Sequence, residues 1–211
     1  MFDAERRSRT YYEGRARLYD WANRVAAFLR GESASKERQK AVDHLDLGAG
    51  QRALEVSVGT GTNLPFMSKQ TGPAGRLVGL DISSAMLDRC RRKLRGLPLE
   101  ADLVEGEAAH LPFVDGSFDG VLHHGGLAEF GDRKAAIEEM VRVAKPGAKI
   151  VICDAGNPVD RKLPLASRLL LKFQPIYDRP PPLDLIPSEA KDVRLSWFHG
   201  GGWYLIDFTK P

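Results

Sequence analysis

A carboxylate inside an apolar strand, two glycines just beyond it and a second carboxylate closing the next strand form the most chemically suggestive spacing in this chain. Residues 53–63 read Ala-Leu-Glu-Val-Ser-Val-Gly-Thr-Gly-Thr-Asn, with Glu55 in the strand and Gly59 and Gly61 in the turn. About twenty residues on, Arg76-Leu-Val-Gly-Leu-Asp81 ends on its acid. Strand, glycine turn, helix, strand and acid hold a nucleotide-type cofactor at the carboxyl edge of a parallel sheet. The glycines let the backbone approach the ligand, and the acid accepts from ribose hydroxyls. Glu55 needs a partner of its own, because a buried acid must be paired or hydrogen-bonded. Further on stand His123 and His124, at the end of a fourth strand. Histidine titrates near neutral pH and makes a natural base. Neighbours on a strand point to opposite faces, so one ring faces the cofactor edge and the other the helix layer. Neither is expected to hold a metal, since no third ligand accompanies the pair.

The glycine pattern departs from a dinucleotide site. G-x-G-x-x-G places its third glycine for close helix–strand packing, and here that position is Leu64. The segment instead resembles motif I of the class I S-adenosylmethionine (SAM) methyltransferases, E/D-x-G-x-G-T-G. Glu55, Gly59, Thr60 and Gly61 match it, while Ser57 stands at its first glycine. Four further blocks follow in that family's order: Leu80-Asp81-Ile82-Ser83-Ser84-Ala85-Met86, Glu105-Gly106-Glu107-Ala108, Asp115-Gly116-Ser117-Phe118-Asp119-Gly120 and Arg142-Val143-Ala144-Lys145-Pro146-Gly147. Together they cover roughly residues 10–155, and the likeness is to the branch that methylates quinones, phospholipid head groups and small molecules.

The resemblance implies SAM as cofactor, S-adenosylhomocysteine as product and no metal. It places Glu55 by the SAM amino group, Asp81 on the ribose, Ile82 and Met86 beside the adenine, and Glu107 with Ala108 at the adenine amino group. Ser57, Gly59, Thr60, Gly61 and Asn63 belong to the glycine turn, and the backbone at His123 to the methionine end. Tyr19, in a lid of N-terminal helices, is placed at the cofactor carboxylate. Methyl transfer is an in-line displacement, so alignment of nucleophile, methyl carbon and sulfur is the main requirement. A phenol or carbon acid also needs a base, for which His123 and His124 are the candidates; the rival role for both is a pocket wall. Glu129 reads more as a helix-start residue than as a carboxylate at the mouth. Phe173, Tyr177 and Trp203 are candidates for the far wall of an acceptor pocket.

Positioning these residues calls for strands at 52–58, 76–81, 99–105, 118–123 and 148–154, alternating with helices at 62–69, 83–95 and 132–144. Such alternation implies right-handed crossovers and an α/β, three-layer, doubly wound sheet of seven mostly parallel strands, Rossmann-like. Ser83 and Asp132 read as N-caps, and Pro146-Gly147 as a helix stop. Helices are expected over 8–30 and 36–45. Residues 192–199 and 203–208 form a C-terminal antiparallel hairpin joined by Gly200-Gly201-Gly202. Residues 156–187 hold seven prolines, which a regular helix cannot run through; within them, Leu165, Leu169, Leu170, Phe173, Ile176 and Tyr177 make an apolar stripe. One domain is expected: N-terminal helices to 45, a cofactor core over 46–155 and an acceptor-side segment over 156–211.

The 211 residues carry a formal charge of +3, a mild excess that demands no nucleic-acid partner. The Asn/Asp-Pro-Pro-Tyr motif of amine-methylating enzymes is absent after the fourth strand. Residues 1–40 hold ten Arg or Lys and six Asp or Glu, and residues 89–95 hold five bases. Both runs read first as solvated helix faces and second as patches for an anionic membrane surface. Cys90 and Cys153 lack metal spacing and imply no disulfide framework. With no signal peptide and no apolar run near the roughly 20 residues of a membrane span, a soluble cytoplasmic enzyme, monomer or homodimer, is expected to act on a small or lipid-like acceptor. Peripheral membrane contact stays open. The alternatives are a catalytically silent protein of the same fold and, behind it, an NAD-type oxidoreductase.

Overall fold

The computed structural model describes residues 34–158, 179–198 and 202–211. The expected N-terminal helices with Tyr19, the stripe over 163–177 with Phe173 and Tyr177, and the Gly200-Gly201 turn lie outside them.

Seven strands form one sheet: β1 (Arg52–Val56), β2 (Arg76–Asp81), β3 (Ala101–Glu105), β4 (Phe118–His124), β5 (Ala144–Ala155), β6 (Lys191–Phe198) and β7 (Trp203–Thr209). Their order is β3-β2-β1-β4-β5-β7-β6. β1 pairs parallel with β2 and β4, β2 with β3, and β4 with β5, while β7 runs antiparallel between β5 and β6. The chain thus leaves β1 toward one edge and returns through β4 toward the other. The carboxyl ends of β1 and β4 flank the point where the order reverses, which is where ligands bind in open α/β sheets.

The described helices are α1 (Ala34–Asp43), α2 (Leu64–Thr71), α3 (Ser84–Leu94) and α4 (Arg133–Val143). Side-chain alternation decides which face each covers. Leu54, Val56, Val78, Leu80, Val121, Ile150, Ile152, Ile206 and Phe208 point to one side and meet Ile137, Met140 and Val143 of α4. Ala53, Leu77, Leu122, Val151 and Leu205 point to the other and meet Val42 of α1, Leu64 and Met67 of α2, and Leu87 and Cys90 of α3. Both faces are covered, so β2 reads as a nearly continuous apolar run, as a parallel strand buried on two sides must.

Caps and ties hold the layers in register. Ser83 Oγ accepts from Met86 N at 3.3 Å and Asp132 Oδ1 from Ala135 N at 2.9 Å. Both N-caps fall where expected. Arg142 near the end of α4 donates to Glu139, to Asp115 and to the carbonyls of Leu111 and Phe113, pinning the loop before β4 onto the helix. Asp207, buried on β7, accepts from Arg194 of β6 at 2.7 and 3.0 Å and shares a 3.1 Å hydrogen bond with His44 just after α1. This fixes α1 to the sheet.

Several boundaries shift by one or two residues, among them α1, α2 and β3, which begin at Ala34, Leu64 and Ala101 rather than 36, 62 and 99, and two of the shifts have a visible cause. β1 ends at Val56 rather than residue 58, because Ser57 takes a positive φ of 61° that no strand accommodates. β5 starts at Ala144 rather than residue 148. Helix α4 already stops at Val143, and Ala144, extended, pairs with Phe118 before Pro146-Gly147 bulge out and pairing resumes at Lys149. The edge strand β6 carries its own irregularity between Lys191 and Arg194, with Asp192 at φ 53°. An interrupted, charged edge is a poor template for pairing with another chain.

Candidate cofactor cleft

A cleft opens at the carboxyl ends of β1, β2, β3 and β4, the edge at which ligands bind in open α/β sheets. Glu55, Ser57, Gly59, Thr60, Asp81, Ile82, Met86, Glu107, Ala108 and His124 all line it. Residues spread from 55 to 124 in sequence thus converge from four strands and the loops that follow them.

Asp81 ends β2 with both oxygens engaged. Oδ2 accepts from Gly59 N at 2.8 Å and Oδ1 from Ser83 N at 2.9 Å. Burial pushes its pKa above the usual carboxylate range, while the Ser83, Gly59 and Ile82 N–H groups pull it back. A carboxylate has about four lone-pair sites, so capacity remains for a ligand. The acid therefore shapes the glycine turn and still faces the cleft.

Glu55 is buried in β1. Its Oε1 accepts from Asn63 Nδ2 at 2.6 Å, and its Oε2 is buried with no partner among the described residues. Burial pushes this carboxyl up to about 8, against the Asn63 hydrogen bond and the Arg38 charge, which favour ionisation. Glu107 at the other side of the cleft likewise leaves Oε1 buried and unpartnered. Orphaned buried acceptors are rare and costly, and two in one cleft fit a ligand that brings its own donors to both ends. Gly59 fits too. At φ 54°, a Cβ added there would meet nothing within 4 Å, leaving the backbone open to the cleft.

Gly61 and Asn63 do not line the cleft. Asn63 stands behind Glu55 and orients it. Gly61, at φ 72°, packs against α3, where an added Cβ would overlap Cys90 Sγ and come within 3.2 Å of Leu64 Cδ1. Its freedom is spent on helix packing. Gly61→Ala is expected to lower unfolding free energy by about 2–4 kcal/mol, combining left-handed strain with overpacking. Urea denaturation would measure this, and Cys90→Ala in the same chain should recover part of the loss.

The two histidines part as alternation requires. His124 lines the cleft, its ring 5.4 Å from that of Trp203. His123 turns into the core, where its Nδ1 meets Val56 O at 3.1 Å and its ring sits 5.1 Å from Phe130. Burial pushes its pKa down to about 4. His123 is not among the residues that line the cleft and meets it only through Phe130, so His124 is the one of the two candidate bases that the cleft holds. Glu129 belongs to the 3₁₀ turn Leu127–Glu129, and it also lines the cleft.

Three contributors escaped the sequence. Arg38 of α1 reaches the cleft. Phe130 lines it beside His124. Asp154, buried at the end of β5, accepts from Gly126 N at 3.3 Å, Ala128 N at 3.2 Å and Ala155 N at 2.7 Å, and so holds the Gly125–Ala128 loop against the sheet. A strand-end acid facing a glycine pair was the signal that could have found it. Among the described residues, no three His, Cys, Asp or Glu gather as a metal site, and no helix is long and apolar enough to cross a membrane.

Residues 54–152 match the family described as methyltransferase domain. A demethylmenaquinone methyltransferase of Oceanobacillus iheyensis is 36% identical over 155 residues, 73% of this chain and 64% of that relative. Another, of Lactobacillus johnsonii, is 36% identical over 142 residues, 66% of this chain and 58% of the relative. The match thus spans less than two-thirds of those relatives' length. Among solved structures, a SAM dependent methyltransferase from Aquifex aeolicus aligns with a TM-score of 0.60 at 21% identity, covering 82% of this chain and 89% of that one. Haemonchus contortus phosphoethanolamine N-methyltransferase 2, solved with S-adenosyl-L-methionine, aligns at 0.69 and 14% identity, covering 83% and 52%. At such identities the structures speak for the fold alone.

Proposed function

We propose, for a chain that belongs to the class I SAM-dependent methyltransferases, that it transfers the SAM methyl group to a small, flat, quinone-like acceptor. One observation carries this reading: Glu55, Asp81 and Glu107 present acceptors in a single cleft, with Glu55 Oε2 and Glu107 Oε1 both buried and unpartnered. In the proposed assignment Glu107 accepts from the adenine amino group, Asp81 from the ribose hydroxyls and Glu55 from the α-ammonium group. Gly59 and Thr60 bring the turn's backbone against the ligand. Ile82 and Met86 supply the apolar contact for the base.

SAM, when bound, supplies an electrophilic methyl carbon on a sulfonium. The chain's share of the work is alignment, together with removal of a proton where the acceptor requires it. His124 is the histidine whose ring lines the cleft, and we assign it as proton acceptor. Asp154 acts behind it by fixing the Gly125–Ala128 loop. Phe130 in the cleft and the Trp203 ring tilted against His124 suit an aromatic, apolar acceptor, in keeping with the quinone named in the relatives' descriptions.

The test is calorimetric titration with SAM, S-adenosylhomocysteine and NADH, followed by methyl transfer to a demethylated naphthoquinol in detergent. Adenosyl-ligand binding with label transfer is the expected result. NADH binding without SAM binding would sink the reading. A second reading, a binder without transferase activity, draws on Ser57, which occupies a left-handed position with a side chain in the cleft. It predicts SAM binding with no transfer to any quinol.

A further inference from the structure

We propose that Asp154 is the positioning residue of the acceptor side of the cleft: it sets the wall from Gly125 to Asp132, and with it the fit of the acceptor, while adenosyl-ligand affinity is independent of it. The proposal rests on the cofactor assignment above. Once Glu55, Asp81, Glu107 and the glycine turn are given to the adenosyl ligand, His124, Gly125, Gly126, Glu129, Phe130 and Asp132 stand apart from them in the cleft as one stretch of chain.

The backbone of that stretch is built around one carboxylate. Gly125 and Gly126 both take left-handed φ values, 88° and 99°. Successive N–H groups in such a turn form a concavity that suits an anion. Here the anion is the chain's own. Asp154, 1% exposed at the end of β5, accepts through Oδ1 from Gly126 N and Ala155 N and through Oδ2 from Ala128 N. Gly125 N donates to the neighbouring Cys153 O at 2.7 Å. The tie then runs on into the cleft wall. Glu129 N donates to Gly126 O at 3.0 Å and Phe130 N to Leu127 O at 3.1 Å, so a shift at Gly126 moves both cleft residues. Asp81 bonds Gly59 and Ser83 instead. The two sides of the cleft therefore hang from different carboxylates, one on β2 and one on β5.

The clamp works with Asp154 ionised. Burial pushes this carboxyl up to about 6, against the N–H groups of Ala155, Ala128, Gly126 and Leu127, which favour the charged form. Protonation turns an O–H toward backbone donors and forfeits an acceptor site, so the loop is released as pH falls through that value. Cys153 beside it and Tyr204, opposite it on β7, are both pushed up by burial and by Asp154 itself, away from this range. Arg133 at the start of α4 stays charged throughout. His124 pairs in register with Cys153, and histidine titrates near neutral pH. The test therefore reads the loop's amides and the acceptor KM rather than turnover.

Hydrogen exchange of the Gly126 and Ala128 amides is followed from about pH 5 to 7.5 in wild type, Asp154→Asn and His124→Gln, with melting curves alongside. The Kd for S-adenosylhomocysteine and the KM for a demethylated naphthoquinol at saturating SAM are measured at neutral pH in wild type and Asp154→Asn. Amide protection should fall through about pH 6 in wild type and in His124→Gln, and be low at every pH in Asp154→Asn. That variant should raise the quinol KM tenfold or more and leave the S-adenosylhomocysteine Kd within about twofold. Parallel loss of both, or an unchanged KM, overturns the proposal. If Asp154→Asn does not fold, wild type decides: protection that is flat across the range overturns the clamp. Wild type that binds S-adenosylhomocysteine and methylates no quinol overturns the acceptor reading instead, a failure separate from that of the amide protection.

Discussion

Replacing Asp81 by Ala is expected to weaken adenosyl-ligand binding by more than about a hundredfold, since two charge-assisted hydrogen bonds at about 1.5–3 kcal/mol each are lost together. The carboxylate has a second duty that the experiment must separate. It accepts from Gly59 N and Ser83 N, so its removal leaves two backbone donors at the cleft rim without partners. Calorimetry is therefore paired with thermal melting, and Asp81→Asn is measured beside Asp81→Ala. Asn keeps the shape and one acceptor but sets an amide N–H against a backbone N–H, so binding should fall there too. A lowered Tm with an unchanged Kd would reduce Asp81 to a residue that holds the turn.

Cofactor affinity is expected to climb with pH, about tenfold per unit below pH 8, because binding an ammonium group requires Glu55 ionised. Burial holds that carboxyl at about 8 in the free protein, with Arg38 and Lys93 favouring the charged form and Asp81 opposing it. The sign follows from the raised value. The folded protein keeps a proton that the unfolded chain gives up, so this group stabilises the fold most below the ordinary glutamate range, near 4.5, and loses that contribution as pH rises to about 8. Ligand binding runs the other way: it expels the proton, and above about 8 the gain levels off. Calorimetry at pH 6–7 in buffers of different ionisation enthalpy should report about one proton released per ligand bound. Glu55→Gln should abolish the slope and the proton release together. A flat wild-type profile from pH 6 to 8 would remove Glu55 from the ammonium site.

The parts of the site that were legible in sequence are those in which local chemistry and global fold ask for the same residue. β2 was readable to the residue because a doubly buried strand must be apolar throughout and must end where an acid meets the open edge. Ser83 and Asp132 were readable because a cap is a local contract between one side chain and an N–H three residues on. Gly61 was read as a cofactor-side residue of the glycine turn, but it packs against α3 and does not line the cleft. The need for a missing Cβ is written at residue 61, while the Cys90 sulfur that imposes it sits on another element. Arg38 was invisible for a related reason. A long cation on a polar helix looks like solvent-facing charge until packing sets that helix against α2 and β5. The histidine pair shows the limit of alternation, which says that two rings must face opposite ways but not which faces the ligand. That choice was made by the parity of β4 against its neighbours, with Val121 and His123 on the α4 side and Leu122 and His124 on the other.

The antiparallel insertion of β7 between β5 and β6 has a consequence for the order in which the molecule can be made. Trp203, whose ring lies beside that of His124, and Ile206 and Phe208, which complete the core over β5, are separated by some fifty residues from the strand they join. As the chain emerges from a ribosome, β1 to β5 are complete while the slot beside β5 is still empty and its row of backbone donors and acceptors unsatisfied. The nascent core must wait with that edge open, the state in which chaperones hold a chain or another strand intrudes. Completion of the sheet beside the cleft is thus a late event in biosynthesis, and mutations in β7 should show themselves first as lower yield of folded protein and only afterwards as weaker ligand binding.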